Sequence, residues 1–223
     1  SAGAPRAIGI ERGMPDMPMP HPATPARDGD LLVLPARVPR VHRSRVARWL
    51  GRSILKLGGW KMVGEFPNVP KAVLFGAPHS SNWDGVWGFA ALLALGLDLR
   101  ILGKKELFWG PMGWLMRVLR VIPIDRSASG GFVAQSIETM KSADAMWIGL
   151  APEGTRKKVD QWKTGFWKLA RGADVPVMLA YFHDPDKIIG IGPTIVMSDD
   201  MDADMAKIRA WYASWQGKRR GTT

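Results

Sequence analysis

Hydrophobic residues along the chain recur with two different periods, and the alternation between them predicts a succession of strands and helices. After Pro70, short apolar runs typical of buried strands are followed by longer runs at helical spacing. This order is typical of a sheet covered by helices on both faces. The sequence therefore predicts an α/β fold, a three-layer α/β/α sandwich with a largely parallel or mixed central sheet. The predicted strands cover residues 72–76, 99–102, 121–124, 146–150, 175–182 and 187–191, and the predicted helices cover 83–97, 111–119, 131–143, 165–172 and 203–215.

A basic amphipathic helix is predicted ahead of this alternation, within residues 41–60. Arginines occupy its other faces, and Gly58-Gly59 is expected to end it. Tryptophan beside cations is typical of a helix that lies on a membrane surface. A helix that packs on its own domain and leaves its basic face in water fits the pattern equally well. The apolar stripe consists of Val46, Trp49, Leu50, Ile54 and Leu57.

The remaining organisation is simple. Residues 1–40 hold eight of the 17 prolines and few bulky apolar residues, so we expect a Pro-rich mobile arm followed by a single domain over 41–223. The longest run of apolar residues and glycine, 85–97, is short of the roughly 20 residues that cross a bilayer. We expect that run to be a buried helix.

Charge and composition restrict the partners. The net charge is +11, and residues 41–64 contain six basic and no acidic side chains, which favours an anionic surface as partner. The chain has no cysteine, and its four histidines lack metal-ligand spacing, so neither a disulfide nor a metal site is predicted. No nucleic-acid-binding motif is evident, so the expected partner is a phospholipid membrane rather than DNA or RNA.

One candidate catalytic pair follows the first predicted strand after Pro70. His79 precedes a helix and Asp84 lies about one turn into it, so the carboxylate is able to fold back onto one imidazole nitrogen. A histidine oriented in this way suits deprotonation of an alcohol. The spacing also fits a capping box between Ser81 and Asp84, with no catalytic role. Both interpretations remain open on spacing alone.

Cations and a glycine follow other predicted strands. Lys105, Arg126 and Arg156 each come just after a strand, so several positive charges are able to converge on one anionic group. Gly154 permits a close backbone approach, and Thr155 adds a hydroxyl donor. Taken singly, each of these residues fits a solvated turn as well. Together they favour a site for an anionic ligand.

These motifs occur in an order that resembles a known family, the glycerolipid acyltransferases of the bacterial 1-acylglycerol-3-phosphate acyltransferase type, or HxxxxD acyltransferases. The resemblance covers about 71–177. The sequence departs from the family pattern at Ala151, where phenylalanine is common, and in the tryptophan-rich run 108–114. The four matching blocks are His79 to Asp84, Ile124-Asp125-Arg126, Pro152 to Arg156 and Val175-Pro176-Val177.

The resemblance implies an enzyme of phospholipid biosynthesis that needs no cofactor. His79 would be the base and Asp84 its partner, acting on an acyl-CoA or acyl-carrier-protein thioester without a covalent acyl-enzyme. The acceptor would be a lysophospholipid, first of all 1-acylglycerol-3-phosphate, with another lysolipid such as a lyso-aminolipid, or a non-catalytic lipid-binding protein, as alternatives. We expect peripheral attachment to the cytoplasmic face of the cell membrane. The acceptor site would be formed by Lys105, Arg126, Glu153, Gly154, Thr155 and Arg156.

Overall fold

The computed structural model describes residues 31–77, 82–104, 106, 108–124, 131–150 and 162–215. Helices and strands alternate through these ranges as the sequence predicts. The elements are α1 (Arg45–Leu57), β1 (Lys61–Val63), β2 (Lys71–Ala77), α2 (Asn82–Leu95), β3 (Leu99–Lys104), α3 (Gly110–Val118), β4 (Val121–Ile124), α4 (Gly131–Ser142), β5 (Met146–Leu150), α5 (Gly165–Ala173), β6 (Val177–His183), β7 (Ile188–Ile195) and α6 (Met201–Tyr212).

All seven of these strands form one mixed sheet in the order β1-β7-β6-β2-β5-β3-β4. The five strands from β6 to β4 are mutually parallel. At the other end of the sheet, β7 runs antiparallel to β6 and β1 runs parallel to β7. The predicted α/β sandwich with a largely parallel or mixed sheet is confirmed.

One core fills the space between the sheet and the helices α4, α5 and α6. Phe75 of β2 lies at its centre, with ring centroids 4.1 Å from Phe166 and 5.6 Å from Tyr212. The Tyr212 hydroxyl lies 2.7 Å from the Phe75 carbonyl oxygen and 2.8 Å from that of Ala180. These contacts fix α6 across β2 and β6, on the side of the sheet opposite α1 and α2.

A second core lies between the other face of the sheet and α1, α2 and the segment before α1. Leu34 and Val38 are buried in it, while residues 1–30 lie outside the described ranges. Residues 31–40 of the predicted arm thus pack against the domain, while a mobile arm over 1–30 stays a prediction. The helices α1 and α2 cross closely at Gly51, where an added Cβ would lie 2.6 Å from the Ala90 carbonyl oxygen. Only glycine permits this approach without displacement of α2.

Helix α1 lies within the predicted range and ends at the expected glycines but buries a face other than the apolar stripe. The Ser44 hydroxyl accepts a hydrogen bond from the Ala47 amide, and Gly59 follows the helix with a φ of +72°. The buried residues of the helix are Gly51 and Leu55. Of the stripe, only Ile54 packs against the core, while the others are exposed: Val46 at 71%, Trp49 at 65%, Leu50 at 46% and Leu57 at 89%.

Candidate active site

Four neighbouring strands end at the same edge of the sheet. They lie in the spatial order β2, β5, β3, β4, and all four are parallel. The register aligns Phe75 with Leu150 and Lys104 with Ile124, so their carboxyl ends lie at similar levels. Functional side chains of open α/β sheets gather at this edge. The three intervals between these strands, each about 4.8 Å wide, make the edge roughly 14 Å long.

Most residues of the predicted site follow these strand ends but lie outside the described residues. His79 comes two residues after the end of β2, and Lys105 directly after the end of β3. Arg126 comes two residues after β4. The block of Glu153, Gly154, Thr155 and Arg156 begins three residues after β5. Their roles stay predictions, but the strands that precede them are neighbours in the sheet.

Asp84 is the one predicted site residue within the described ranges, and it is buried. It is the third residue of α2, the helix that follows β2, and its relative exposure is 2%. The positive end of a helix dipole favours a carboxylate in the first turn. A buried carboxylate also needs a polar partner, and Asp84 has an interaction partner. A capping carboxylate at a helix terminus can remain in water, so the capping role alone does not account for this burial.

Tryptophan rings cluster around the start of α2. Trp83 stacks on Trp87 with ring centroids 5.9 Å apart, and Trp87 lies 5.6 Å from Trp60. Phe182 of β6 meets Trp60 edge-on at 6.0 Å. Trp83 itself is half exposed. The row of rings therefore extends from the core towards the solvent next to Asp84, although sequence analysis assigned it no role. The helical i, i+4 spacing of Trp83 and Trp87 in the sequence indicates that these two rings lie side by side.

A second histidine lies at the same edge, at the end of β6. Tyr181 pairs with Ala77 of β2, which places His183 two residues beyond the level of that strand's last residue. Its Nε2 atom is 3.2 Å from Asp186 Oδ2, and its ring lies edge-on to Trp215 at 5.6 Å. His183 thus belongs to the β6–β7 hairpin, with an acidic partner of its own. It provides a natural comparison for His79.

Tyr181 of β6 lies near this edge and has a raised pKa. Its ring stacks on Trp215 at 3.7 Å and covers Gly190 on β7, where an added Cβ would meet the ring at 1.9 Å. Burial of the phenol disfavours the charged phenolate and raises the pKa of Tyr181 to about 12. The side chain is therefore neutral at physiological pH and serves the packing of the hairpin.

The described residues contain neither a group of three potential metal ligands nor a helix of the length and apolar character needed to span a bilayer. The predicted absence of a metal stays a prediction because most of the candidate site lies in other residues.

Comparisons with known proteins agree with this fold. A family model described as Acyltransferase matches residues 64–181, which is more than half of the chain. Among solved structures, the fold is similar to that of the 1-acyl-sn-glycerophosphate (LPA) acyltransferase PlsC from Thermotoga maritima, with a TM-score of 0.55. The two are 16% identical over 78% of this chain and 81% of that chain, so this likeness concerns the fold alone. No curated protein matches the chain.

Proposed function

The chain belongs to the acyltransferase family, and on that premise we propose that it moves a fatty acyl group from a thioester donor to the hydroxyl of a lysophospholipid. The donor is acyl-CoA or acyl carrier protein, and the acceptor is 1-acylglycerol-3-phosphate. The match over residues 64–181 includes all four strands that end at the candidate site. This coverage supports our proposal that the chemistry takes place at that edge.

The proposed reaction is a direct transfer assisted by a histidine base. His79 removes the proton of the acceptor hydroxyl while the oxygen forms a bond to the thioester carbonyl carbon. The tetrahedral intermediate then collapses, the carbon–sulfur bond breaks, and the imidazolium returns the proton to the departing thiolate. Asp84 holds the ring in one tautomer and stabilises its positive charge. General base catalysis of this kind contributes about 10²–10⁴ in rate.

The burial of Asp84 is the observation that carries this proposal. Asp84 lies in the first turn of the helix that follows β2, and its chain distance from His79 is five residues. A carboxylate hidden from water at this position is suited to accept a hydrogen bond from an imidazole N–H, since that bond replaces lost hydration. The capping-box alternative predicts no dependence of turnover on its charge.

The phosphate of the acceptor is proposed to bind between the ends of β5, β3 and β4. Arg156 and Arg126 supply forked donors that match phosphate oxygens, and Lys105 adds a further cation. Gly154 permits close approach of the backbone, Thr155 donates a hydroxyl hydrogen bond, and Glu153 orients the loop. The lines of support are the spatial order of the strands and the family resemblance of the residues.

We also propose that the enzyme works as a peripheral protein on the cytoplasmic face of the cell membrane. Four cations of α1, Arg45, Arg48, Arg52 and Lys56, are exposed, and so are Val46, Trp49, Leu50 and Leu57. A helix with exposed tryptophan and arginine suits the boundary between lipid and water. Because α1 contributes Gly51 and Leu55 to the core, it is held rigidly while this surface stays available.

A transfer assay with a panel of lysolipids tests the proposed function. The purified chain is supplied with acyl-CoA or acyl carrier protein donors, and the panel includes 1-acylglycerol-3-phosphate, lysophospholipids with amine headgroups, and monoacylglycerol as an acceptor without phosphate. We expect the fastest transfer to 1-acylglycerol-3-phosphate and very slow transfer to monoacylglycerol. Equal rates for these two acceptors would contradict the proposed phosphate site.

A further inference from the structure

Helix α3 is the most exposed apolar element of the described structure. Gly113 is its one buried residue, and only Met116 is half-buried. Trp109 before the helix is 72% exposed and Trp114 is 65% exposed. Leu115, Met112 and Val118 are also exposed. At 100° per residue, Met112, Trp114, Leu115 and Val118 all lie on the side of the helix opposite Gly113. We call Trp109, Met112, Trp114, Leu115 and Val118 the α3 face.

A helix of this kind is poorly supported by its own domain. It has nine residues, and isolated helices of this length are marginal in water because their stability comes from tertiary packing. Gly113 is buried against the segment that leads into the helix, because an added Cβ would lie 2.5 Å from the Phe108 carbonyl oxygen. The wide apolar side of the helix lies away from that contact. Such a surface indicates an interaction site rather than part of the core.

Within the described residues, the large exposed apolar side chains are confined to one side of the sheet. The large exposed ones all belong to Val33, α1, the first turns of α2, or the α3 face. In the described residues from 119 to 215, no large hydrophobic side chain is exposed to this degree. The start of α1 and the end of α3 meet where Arg43 Nη1 donates a hydrogen bond of 3.1 Å to the Val118 carbonyl oxygen. The two exposed apolar surfaces therefore lie on the same helical layer.

The charges beside the α3 face are positive. No acidic residue occurs between Glu106 and Asp125, while Arg117 is exposed on the helix. At its end, Asp98 makes a bidentate pair with Arg120 at 3.0 and 2.8 Å, and Arg43 is close enough to feel both charges. Burial, and then the charge of Arg120, lower the pKa of Arg43. The surplus of positive charge complements an anionic partner.

We propose that the α3 face inserts into the interfacial region of an anionic phospholipid bilayer, next to the site at which the acyl chains are exchanged. Tryptophans favour the lipid–water boundary, and the arginines beside them attract anionic headgroups. Helix α3 begins six residues after the end of β3, so its insertion brings the candidate site to the membrane. The inference deepens the proposed function, on which it rests for the nature of the substrate. It assigns α3 to insertion into the bilayer, beside the basic and apolar surface that α1 presents to the headgroups.

Site-specific labelling tests insertion without any substrate. The chain has no cysteine, so Leu115→Cys takes a single nitroxide label, and Ala134→Cys on the exposed surface of α4 takes the matched control label. The full chain is mixed with vesicles of phosphatidylcholine and phosphatidylglycerol. We expect the label at 115 to become accessible to oxygen and shielded from a water-soluble nickel chelate, while the label at 134 stays unchanged.

A pair of charge-matched variants measures how much the α3 face contributes to binding. Trp114→Glu with Leu115→Glu should lower vesicle affinity by more than about tenfold, because carboxylates replace the inserted side chains. Ala134→Glu with Gln135→Glu adds the same two charges on the opposite layer and should change affinity less than twofold. The two pairs should unfold at similar temperatures, since all four residues are exposed.

Three outcomes would overturn the proposal. The label at 115 could remain open to the nickel chelate while the protein sediments with vesicles. It could instead be shielded without vesicles as the molecular mass doubles, which would assign the α3 face to a second copy of the chain. Equal losses of vesicle affinity in the two charge-matched pairs would show that the effect arises from net charge alone. Failure of acyl transfer in the lysolipid panel would contradict the proposed function but leave the insertion result standing.

Discussion

At the scale of single residues, two buried aspartates allow the proposed catalytic carboxylate to be compared with a structural one. Asp84 and Asp204 are each 2% exposed and each lie near the start of a helix. Asp204 accepts hydrogen bonds from the Trp167 indole and from the amide and hydroxyl of Ser198, so its partners are all structural. Asp84 is the one that belongs to the candidate site.

The two aspartates should respond differently to removal of their charge. Asp84→Asn should lower kcat by more than about a hundredfold, because an amide cannot stabilise the imidazolium. Asp204→Asn should lower the melting temperature and leave kcat within about twofold. Rates and thermal unfolding of both variants are measured side by side. A loss of stability in Asp84→Asn with little change in rate would instead support the capping box.

The proposed phosphate contact makes a prediction about Arg156. Arg156→Ala should raise KM for 1-acylglycerol-3-phosphate by at least about tenfold, since a charge-assisted contact is lost, and should leave KM for the donor nearly unchanged. Monoacylglycerol serves as the control acceptor, for which the variant should make little difference. An equal loss for both acceptors would show that Arg156 does not bind phosphate.

The raised pKa of Tyr181 predicts how the free energy of unfolding changes at alkaline pH. The pKa of about 12 in the folded state is above the value of about 10 for an unfolded tyrosine. The unfolded chain therefore loses this proton first, so the stabilisation is fully present below pH 10 and is lost as the pH rises towards 12. The unfolding free energy of Tyr181→Phe should fall less over this interval. Parallel curves for the parent and the variant in denaturant titrations would contradict the assignment.

At the scale of elements, α1 combines a packed face with an exposed basic and apolar surface. The sequence predicts the helix and its end at Gly58, but the apolar stripe does not identify the packed face. That face depends on Gly51, whose missing side chain lets α1 approach α2. Strand β1 was not predicted because three residues, Lys61 to Val63, carry too little periodicity to be recognised. Both features arise from tertiary contact rather than local pattern.

Neutralising the cations of α1 should weaken membrane attachment. Each cation close to an anionic leaflet contributes about 1 kcal/mol, so replacing Arg45, Arg48 and Arg52 by glutamine should lower vesicle affinity about a hundredfold. The matched control replaces Lys141, Lys168 and Lys207, exposed on the opposite layer, by glutamine. Co-sedimentation with anionic vesicles measures binding, and a short-chain soluble acceptor measures turnover, which should be retained. Unchanged binding, or a parallel loss of turnover, would exclude an anchoring role.

At the scale of the whole molecule, the sequence does not predict the order in which the strands lie in the sheet. The chain presents its motifs after β2, β3, β4 and β5, but the sheet places β5 between β2 and β3. The loop with Arg156 therefore follows a strand adjacent to the one that precedes His79. Sequence patterns predict β4 and β5 to the residue, because buried runs such as 146–150 are short and sharply bounded, but they miss β1 and the last four residues of β7. Their neighbours depend on long-range packing, which local patterns do not encode.

The proposed role of His79 as the base is tested by the rate of acyl transfer to 1-acylglycerol-3-phosphate in His79→Ala and His183→Ala, measured beside the parent enzyme. His183 is the last residue of β6 and His79 follows the neighbouring parallel strand β2, but only His79 is proposed to move a proton. We expect His79→Ala to lose at least about a hundredfold in rate while keeping its melting temperature, and His183→Ala to stay within about threefold. Transfer by His79→Ala within about tenfold of the parent would contradict the claim.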